Sequence, residues 1–342
     1  MALVGVGDNY AINMDNLDLG SLTQGVKVTS TSTLYAVTLD DETTLFGGVG
    51  FTYNALGIPN GGIVNHIQDQ AQGVVVYDIV DFAVPAVSFV QWANAGDTFA
   101  AKLAVLSGAD TVIGGPGSDL LRAYAGDDVM VGGFGDDSLD GGTGSDTING
   151  SAGNDAILVT GGLATYLRGD EGDDAIKGGS GFDDINGNMG NDTASGGSGE
   201  DWVVGGRDND MLFGEDAYDL VYGNLGDDTL DGGAGNDIVR GGQDNDVLTG
   251  GSGDDFVSGD KGFDTMTGGT GADVFHTFGD AGVDRVTDFS IAQGDRVQVD
   301  PGTVYSVAQV GNDTVISMTG GGVMTLVGVS MGSLTGNWIF GA

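Results

Sequence analysis

The chain has 342 residues, of which 67 are Gly, 4 are Pro and none is Cys, and its 50 Asp and Glu against 10 Lys and Arg give a formal charge of −40. Gly richness with so little Pro excludes a collagen-like or Pro-rich linker chain, and 40% apolar content excludes an acidic disordered tail. Without Cys there is no disulfide framework or thiolate metal site, and a polyanion of this size has no electrostatic reason to bind nucleic acid or an anionic membrane. Its natural partner is a cation.

Residues 1–104 carry 10 acidic and 2 basic residues and read as a mostly-β domain, with strands expected near Gly25–Leu39, Gly73–Ala83 and Ala86–Ala93. A short helix is expected next, N-capped by Asp97 or Thr98, with Phe99, Leu103 and Leu106 on one face and Gly108 as its stop. It would close the N-terminal end of the central segment. The start of the chain has no basic n-region before Lys27, so no Sec-type signal is expected. The apolar run Phe82 to Trp92 is too short to span a bilayer and contains Pro85, so no membrane insertion is expected.

From residue 105 to 276 the chain is a repeat. An Asp recurs every nine residues at Asp110, Asp119, Asp128, Asp137, Asp146 and Asp155, then, after one interruption, at Asp174, Asp183, Asp192, Asp201, Asp210, Asp219, Asp228, Asp237, Asp246, Asp255, Asp264 and Asp273. Each unit reads Gly-Gly-x-Gly-x-Asp-x-apolar-x, as in Gly141 to Asn149, and the position two after each Asp is apolar every time, from Val112 to Phe275. The glycines permit φ > 0 and close backbone approach, so a turn can aim several carbonyl oxygens at one point, and the Asp adds a carboxylate oxygen. Hard oxygen donors of this kind suit Ca²⁺, whereas Mg²⁺ keeps its waters. The other three residues make a short strand with its middle side chain buried. Two units form one coil, so equivalent Asp residues recur 18 apart, in coils about 4.8 Å from one another.

This block resembles the calcium-binding nonapeptides of RTX (repeats-in-toxin) proteins. The resemblance implies a parallel β-roll holding several Ca²⁺ ions between turns, export through type I secretion machinery, and folding after exit into calcium outside the cell. The eighteen aspartates are the metal-ligand candidates. Departures mark weaker turns: Asp208, Ala217 and Asp244 replace the fourth-position Gly, and Ala123-Tyr124 replaces a glycine pair. Residues 159–168 read either as a degenerate half-coil with an extra residue or as a loop, and they leave Asp146 and Asp183 without a carboxylate partner across the gap.

Residues 277–342 alternate as strands do, at Val283–Phe289, Arg296–Val299, Asp313–Met318 and Val323–Val329. The segment is similar to the C-terminal β-sandwich of serralysin-type proteins, which implies a sandwich-like cap carrying an uncleaved type I secretion signal. Serralysin protease chemistry is not implied, because no His-Glu-x-x-His occurs. His66 and His276 are too few for a three-ligand zinc site, and both read as surface residues. Gly328-Val329-Ser330-Met331-Gly332 matches a nucleophile elbow formally but has no His after it. The third positions Pro116, Ala125, Phe134, Thr143, Ala152, Glu171 and Ser180 show no repeated face, which argues against a ligand on the roll surface.

The fold class expected is therefore all-β: a parallel β-roll between a β-rich N-terminal domain and a sandwich-like cap. The function expected is a secreted, non-catalytic calcium-binding structural, surface-layer, matrix or adhesion component. Its partners would be calcium, the type I export machinery, and either further copies of itself head to tail or a cell-surface polysaccharide. The alternative is a secreted hydrolase, polysaccharide-active or of another kind, with its chemistry in residues 1–104.

Overall fold

The computed structural model describes residues 108–114 and 116–341, and in addition the backbone of the strands Leu3–Val6, Val26–Ser30, Leu34–Leu39, Glu42–Tyr53, Pro59–Ala71 and Val74–Pro85. The expected strand at 86–93 and the helix near 97–106 lie outside the described residues. The fold is an all-β parallel β-solenoid of about 10 turns in total, and the chain divides into two compact units, Met1–Gly161 and Gly162–Ala342.

In the first unit an antiparallel sheet precedes the roll. Val26–Ser30, Leu34–Leu39, Glu42–Tyr53, Pro59–Ala71 and Val74–Pro85 pair in succession. Leu3–Val6 joins the two systems: it runs antiparallel to Val74–Pro85 and parallel to the first roll strand, Thr111–Ile113. An open roll edge exposes unpaired N–H and C=O groups, and this strand takes them up. Two parallel stacks come next, one of Thr111–Ile113, Val129–Phe134 and Thr147–Ala152, the other of Leu120–Arg122, Ser138–Gly142 and Ala156–Val159.

The second unit repeats this arrangement over more coils. One stack runs from Thr165–Glu171 through Asp183–Met189, Trp202–Arg207, Leu220–Leu225, Ile238–Gln243 and Phe256–Lys261 to Val274–Thr277. The other runs from Ala175–Lys177 through Thr193–Ser198, Met211–Asp216, Thr229–Ala234 and Val247–Ser252 to Thr265–Thr270. Register is strict: Val221 faces Val239, which faces Val257, each 18 residues on. Strands such as Ile238–Gln243 bury alternate residues, so one apolar side chain and one Gly point inward. Every apolar residue two places after a phased Asp is at most 3% exposed. The core is a single file of such side chains per sheet, which is why the unit tolerates only one large inward residue in nine.

The interruption is a half-coil rather than a loop. Thr160 N–H still donates to the carbonyl 18 residues back, at Gly142, and Thr165 stands in register with Asp183, so the one extra residue falls between them. Thr165 occupies an Asp position, and Leu167, fully buried two places on, fills the core position.

The roll does not stop at residue 276, and the segment after it is not a separate sandwich. Val283–Val286 extends one sheet and Arg296–Val299 the other, both parallel. Val323–Leu326 and Ile339–Gly341 then add parallel to those, and Tyr305–Val310 and Asp313–Met318 complete an antiparallel meander on Val323–Leu326. Phe275 continues into this end through Phe289 and Trp338, ring to ring at 6.1 and 6.4 Å. The added coils are longer by two and four residues than the nonapeptide pair, which hides them from a search at fixed period.

Candidate metal centre

All eighteen phased aspartates are no more than 3% exposed, an unusual place for a carboxylate. The reason is their two oxygens. One of them, Oδ1, accepts the backbone N–H of the Asp one coil earlier: Asp210 accepts from Asp192 at 2.8 Å, Asp228 from Asp210 at 2.8 Å, and Asp246 from Asp228 at 2.9 Å. The opposite side does the same, with Asp237 accepting from Asp219 and Asp255 from Asp237, both at 2.9 Å. The other oxygen, Oδ2, is buried without a hydrogen bond at Asp128, Asp137, Asp146, Asp192, Asp201, Asp210, Asp219, Asp228, Asp237, Asp246, Asp255, Asp264 and Asp273. Leaving a charged acceptor buried and unmatched costs more than about 1–3 kcal/mol each time.

Each of these orphan oxygens except that of Asp128 looks into a space kept by the first-position Gly of its own unit. A Cβ built on Gly232 would stand 2.7 Å from Asp237 Oδ2 and 2.5 Å from the Gly250 carbonyl oxygen, and the same arrangement recurs at Gly250 with Asp255 Oδ2 and the Gly268 carbonyl. One carboxylate oxygen and inward carbonyls therefore converge on a pocket no side chain fills. Among the described residues no three His, Cys, Asp or Glu side chains gather at ligand spacing. A cage built mainly from carbonyls needs none, and hard oxygen donors of mixed origin are what Ca²⁺ takes. The residues fit the ion.

The sequence departures gain a physical meaning. Asp208, Ala217 and Asp244 also take positive φ, of 74°, 86° and 78°, where the fourth-position glycines with positive φ range from 106° to 159°. Each holds this left-handed backbone at a strain of about 1 kcal/mol or more. At Asp128 the first-position residue is Ala123, so a real methyl stands where other coils leave space. At Asp183 the missing carboxylate partner is replaced: the Thr165 hydroxyl donates to Oδ1 at 2.5 Å and Gly179 N–H to Oδ2 at 2.7 Å. Replacing Asp237 by Ala is accordingly expected to lower calcium affinity by about tenfold or more, and replacing Asp183 by Ala to lower it less. Calorimetric titration checks this, and equal losses would refute the role given to the unmatched oxygen.

Three sets of residues escaped the sequence reading. Asp284 and Asp295 continue the aspartate columns 20 and 22 residues after Asp264 and Asp273, and both are buried. Asp273 N–H donates to Asp295 Oδ1 at 3.2 Å, and the Asp284 carboxyl is pushed up to about 8 by burial and then by the facing Asp264 carboxylate. The second set is the fifth position. Asp173, Asn191, Asn209, Asp227 and Asn245 form an outer ladder, each accepting the N–H of the fifth-position residue one coil later, at 2.7 to 3.2 Å. Inner and outer ladders run in opposite directions, so the turns that carry both, from Asp173 to Asn245, are tied to both neighbours. The Asp/Asn preference at that position was the available signal.

The third is His276, which is not a surface residue: its side chain is 11% exposed, stacked on Phe256 at 5.6 Å and capped by Asp300 from the following segment. Its Nδ1 lies 3.1 Å from Ser258 Oγ and its Nε2 3.1 Å from Asp300 Oδ1. This Ser–His–Asp contact is no nucleophilic site. Ser258 is fully buried and gives its proton to Asp260 Oδ1 at 2.7 Å, so a substrate carbonyl has no approach. Ser330 sits in an exposed turn before the short 3₁₀ segment Met331–Ser333, without the strand–turn–helix a nucleophile elbow needs. His66 lies in Pro59–Ala71, and its side chain is outside the described residues.

Stacked turns that each present one unmatched carboxylate oxygen and inward carbonyls define a solenoid built to take up hard divalent cations along its length. The model of the RTX calcium-binding nonapeptide repeat matches residues 106–139, 131–163, 159–194, 168–203, 186–221, 195–230, 219–248 and 249–286, more than half of the chain, and the protein belongs to that family. Its repeats bind Ca²⁺ at multiple sites. No curated protein sequence matches the chain. Among solved structures the extracellular lipase LipA from Serratia marcescens is similar over 69% of this chain at 18% identity, with a TM-score of 0.26. The match spans only 38% of that lipase, and at such a score it carries no argument about activity. RTX repeat proteins are generally secreted, and among the described residues no helix is long and apolar enough to cross a membrane.

Proposed function

We propose that the protein is an extracellular, non-catalytic structural component whose roll folds on Ca²⁺, held by the eighteen phased aspartates with Asp284 and Asp295 at the C-terminal end, and whose folded copies then associate. The observation that carries this reading is the column of buried, unmatched Asp Oδ2 atoms beside glycine-kept spaces. Between residues 105 and 276 there are 34 acidic and 6 basic residues, so without cations the coils repel one another and copies stay apart. Support for association comes from apolar side chains left on the outside, among them Phe134 at 68%, Trp202 at 50% and Phe263 at 69% exposure. Electron microscopy of protein refolded with Ca²⁺ is expected to show ordered assemblies that chelator dissolves. Monomers at high concentration that turn over an ester or polysaccharide would overturn the reading in favour of a hydrolase using residues 1–104.

Export through a type I channel, directed by residues 277–342, belongs to the same proposal. Deleting that segment is expected to leave the protein in the producing cell. Since Val283–Val286 and Arg296–Val299 also complete the roll, the segment fused behind an unrelated reporter is the cleaner arm. A reporter that stays inside would place the signal elsewhere.

A further inference from the structure

In the second unit, the sheet that runs through Thr265–Thr270, Val283–Val286 and Val323–Leu326 ends on Tyr305–Val310. That strand pairs antiparallel with Asp313–Met318 on one side, and among the described residues nothing pairs with its other side. Backbone groups of an antiparallel strand point alternately to its two sides. Thr319 N–H donates to the Val304 carbonyl at 2.8 Å, so in this register Val304, Ser306, Ala308 and Val310 bond inward. The N–H and C=O groups of Tyr305, Val307 and Gln309 therefore face outward as an open ladder. Natural edges are protected by charge, Pro, bulges or shortness. Leu120–Arg122, an edge strand of the first unit, has three residues and ends on an arginine. Tyr305–Val310 has six residues, no charge, no Pro and an unbroken register.

Charge and sequence say what covers it. Residues 301–342 contain a single charged residue, Asp313, on a chain of charge −40. Two copies of this polyanion repel along their rolls and can approach closely here. The strand is also complementary to itself. Paired antiparallel with a second copy about a two-fold axis at Val307, Tyr305 stands opposite Gln309 and Val307 opposite Val307, and every outward backbone group finds a partner. The same register sets Val304, 66% exposed, against Val310, 58% exposed, with the small Ser306 and Ala308 facing each other between them. The strand is already fixed for this contact. Gln309 Nε2 donates to the Asp313 carbonyl at 2.9 Å and its Oε1 accepts Met331 N–H at 2.6 Å, so little ordering remains to be done on binding.

We infer that Tyr305–Val310 is a self-association edge, which pairs with the same strand of a second copy to make one continuous sheet across a two-fold axis. The inference rests on the association proposed above and names one of its contacts. A two-fold contact of this kind closes on itself and yields dimers. It depends on calcium, because Val323–Leu326, on which the meander is built, is itself paired to the roll strand Val283–Val286.

The test uses the full chain refolded in Ca²⁺, with mass followed by analytical ultracentrifugation. The wild-type chain is expected to dimerise. V307K and V307E each set like charges opposite one another at the axis, and each is expected to weaken dimerisation about tenfold or more. Mixed together they are expected to dimerise again, which a strand that had merely misfolded would not do. T193K adds a charge at an exposed position of a roll strand away from this edge and is expected to leave dimers intact. The chain has no Cys, so V307C tests the register with little change in shape. Opposed Cα atoms in such a pair lie about 5.5 Å apart, within disulfide reach. Mild oxidation in Ca²⁺ is expected to cross-link V307C between copies and not T193C. A monomeric wild type, V307K dimers as stable as those of the wild type, a V307K and V307E mixture that stays monomeric, or V307C that does not cross-link would each overturn the inference. Where ordered assemblies still form and chelator dissolves them, the structural role stands and only this contact falls. Turnover of a substrate would count against the role and not against the contact.

Discussion

In excess chelator at neutral pH the nonapeptide block is expected to lose its β signal altogether, and millimolar Ca²⁺ to restore it in one cooperative step. The cause is the unmatched oxygen repeated through the turns from Asp128 to Asp273. Ionised and without a cation, each costs more than about 1–3 kcal/mol, and a domain has only about 5–15 kcal/mol of net stability to lose. A handful of empty cradles is enough to unfold the roll. Cooperativity arises from the two ladders, since a coil leaving the stack strips acceptors from the coils on both sides. Mg²⁺ is expected not to substitute, because it gives up its waters reluctantly for a carbonyl cage. Far-UV circular dichroism decides it: a spectrum unchanged by chelator would remove the basis of the whole reading.

Acid is expected to do part of the work of calcium, and to compete with it. In the metal-free roll Asp210 and Asp246 are pushed up to about 8, and Asp128, Asp137, Asp219 and Asp255 to about 7, by burial first and by neighbouring carboxylates after that. Groups raised above an unfolded value of 3.8 favour the fold when protonated. Their contribution is whole below about pH 4 and is lost as the pH rises through about 6 to 8. Chelated protein should thus regain compactness as the pH falls below neutral, through about pH 6 to 5, where the remaining carboxyls at about 6 also protonate. Calcium affinity should move the other way, falling on acidification as protons occupy the same oxygens, with protons released on each uptake of metal near about pH 6. Titration calorimetry in buffers of different ionisation heat measures that release. An affinity flat between about pH 8 and 6 would show that the carboxylates are not where the metal goes.

Much of this was legible in the chain because two periodicities agree. An Asp every nine residues and an apolar residue two places later can both be satisfied only by a narrow coil, and every one of those residues is buried as that coil requires. What escaped did so for particular reasons. The fifth position looked variable because Asp and Asn share the task of accepting one N–H, while a donor such as Ser145 needs only its backbone. Asp284 and Asp295 were missed because inserts of two and four residues break the phase while leaving the parallel register intact. The roll surface looked featureless because third positions taken every ninth residue mix two sheets. Taken every eighteenth, Arg207, Leu225, Gln243 and Lys261 fall on one face. His276 reads as an outward residue of its strand, and only the later chain, through Phe278 and Asp300, covers it. The hairpins of the first unit carry no period at all, so only approximate strand positions could be read from their residues.

The first-position glycines set how this sequence can vary. In most proteins Gly to Ala is among the mildest of changes, yet at Gly232 or Gly250 the added carbon would occupy the place kept for an ion. A single methyl there would push aside the carbonyl and carboxylate oxygens that form the cage. Third positions such as Gln243 and Lys261 carry no such constraint, since their side chains are exposed. A roll of this kind is therefore expected to tolerate substitution at the residues it displays, coil by coil, and to resist it at the residues that hold it together.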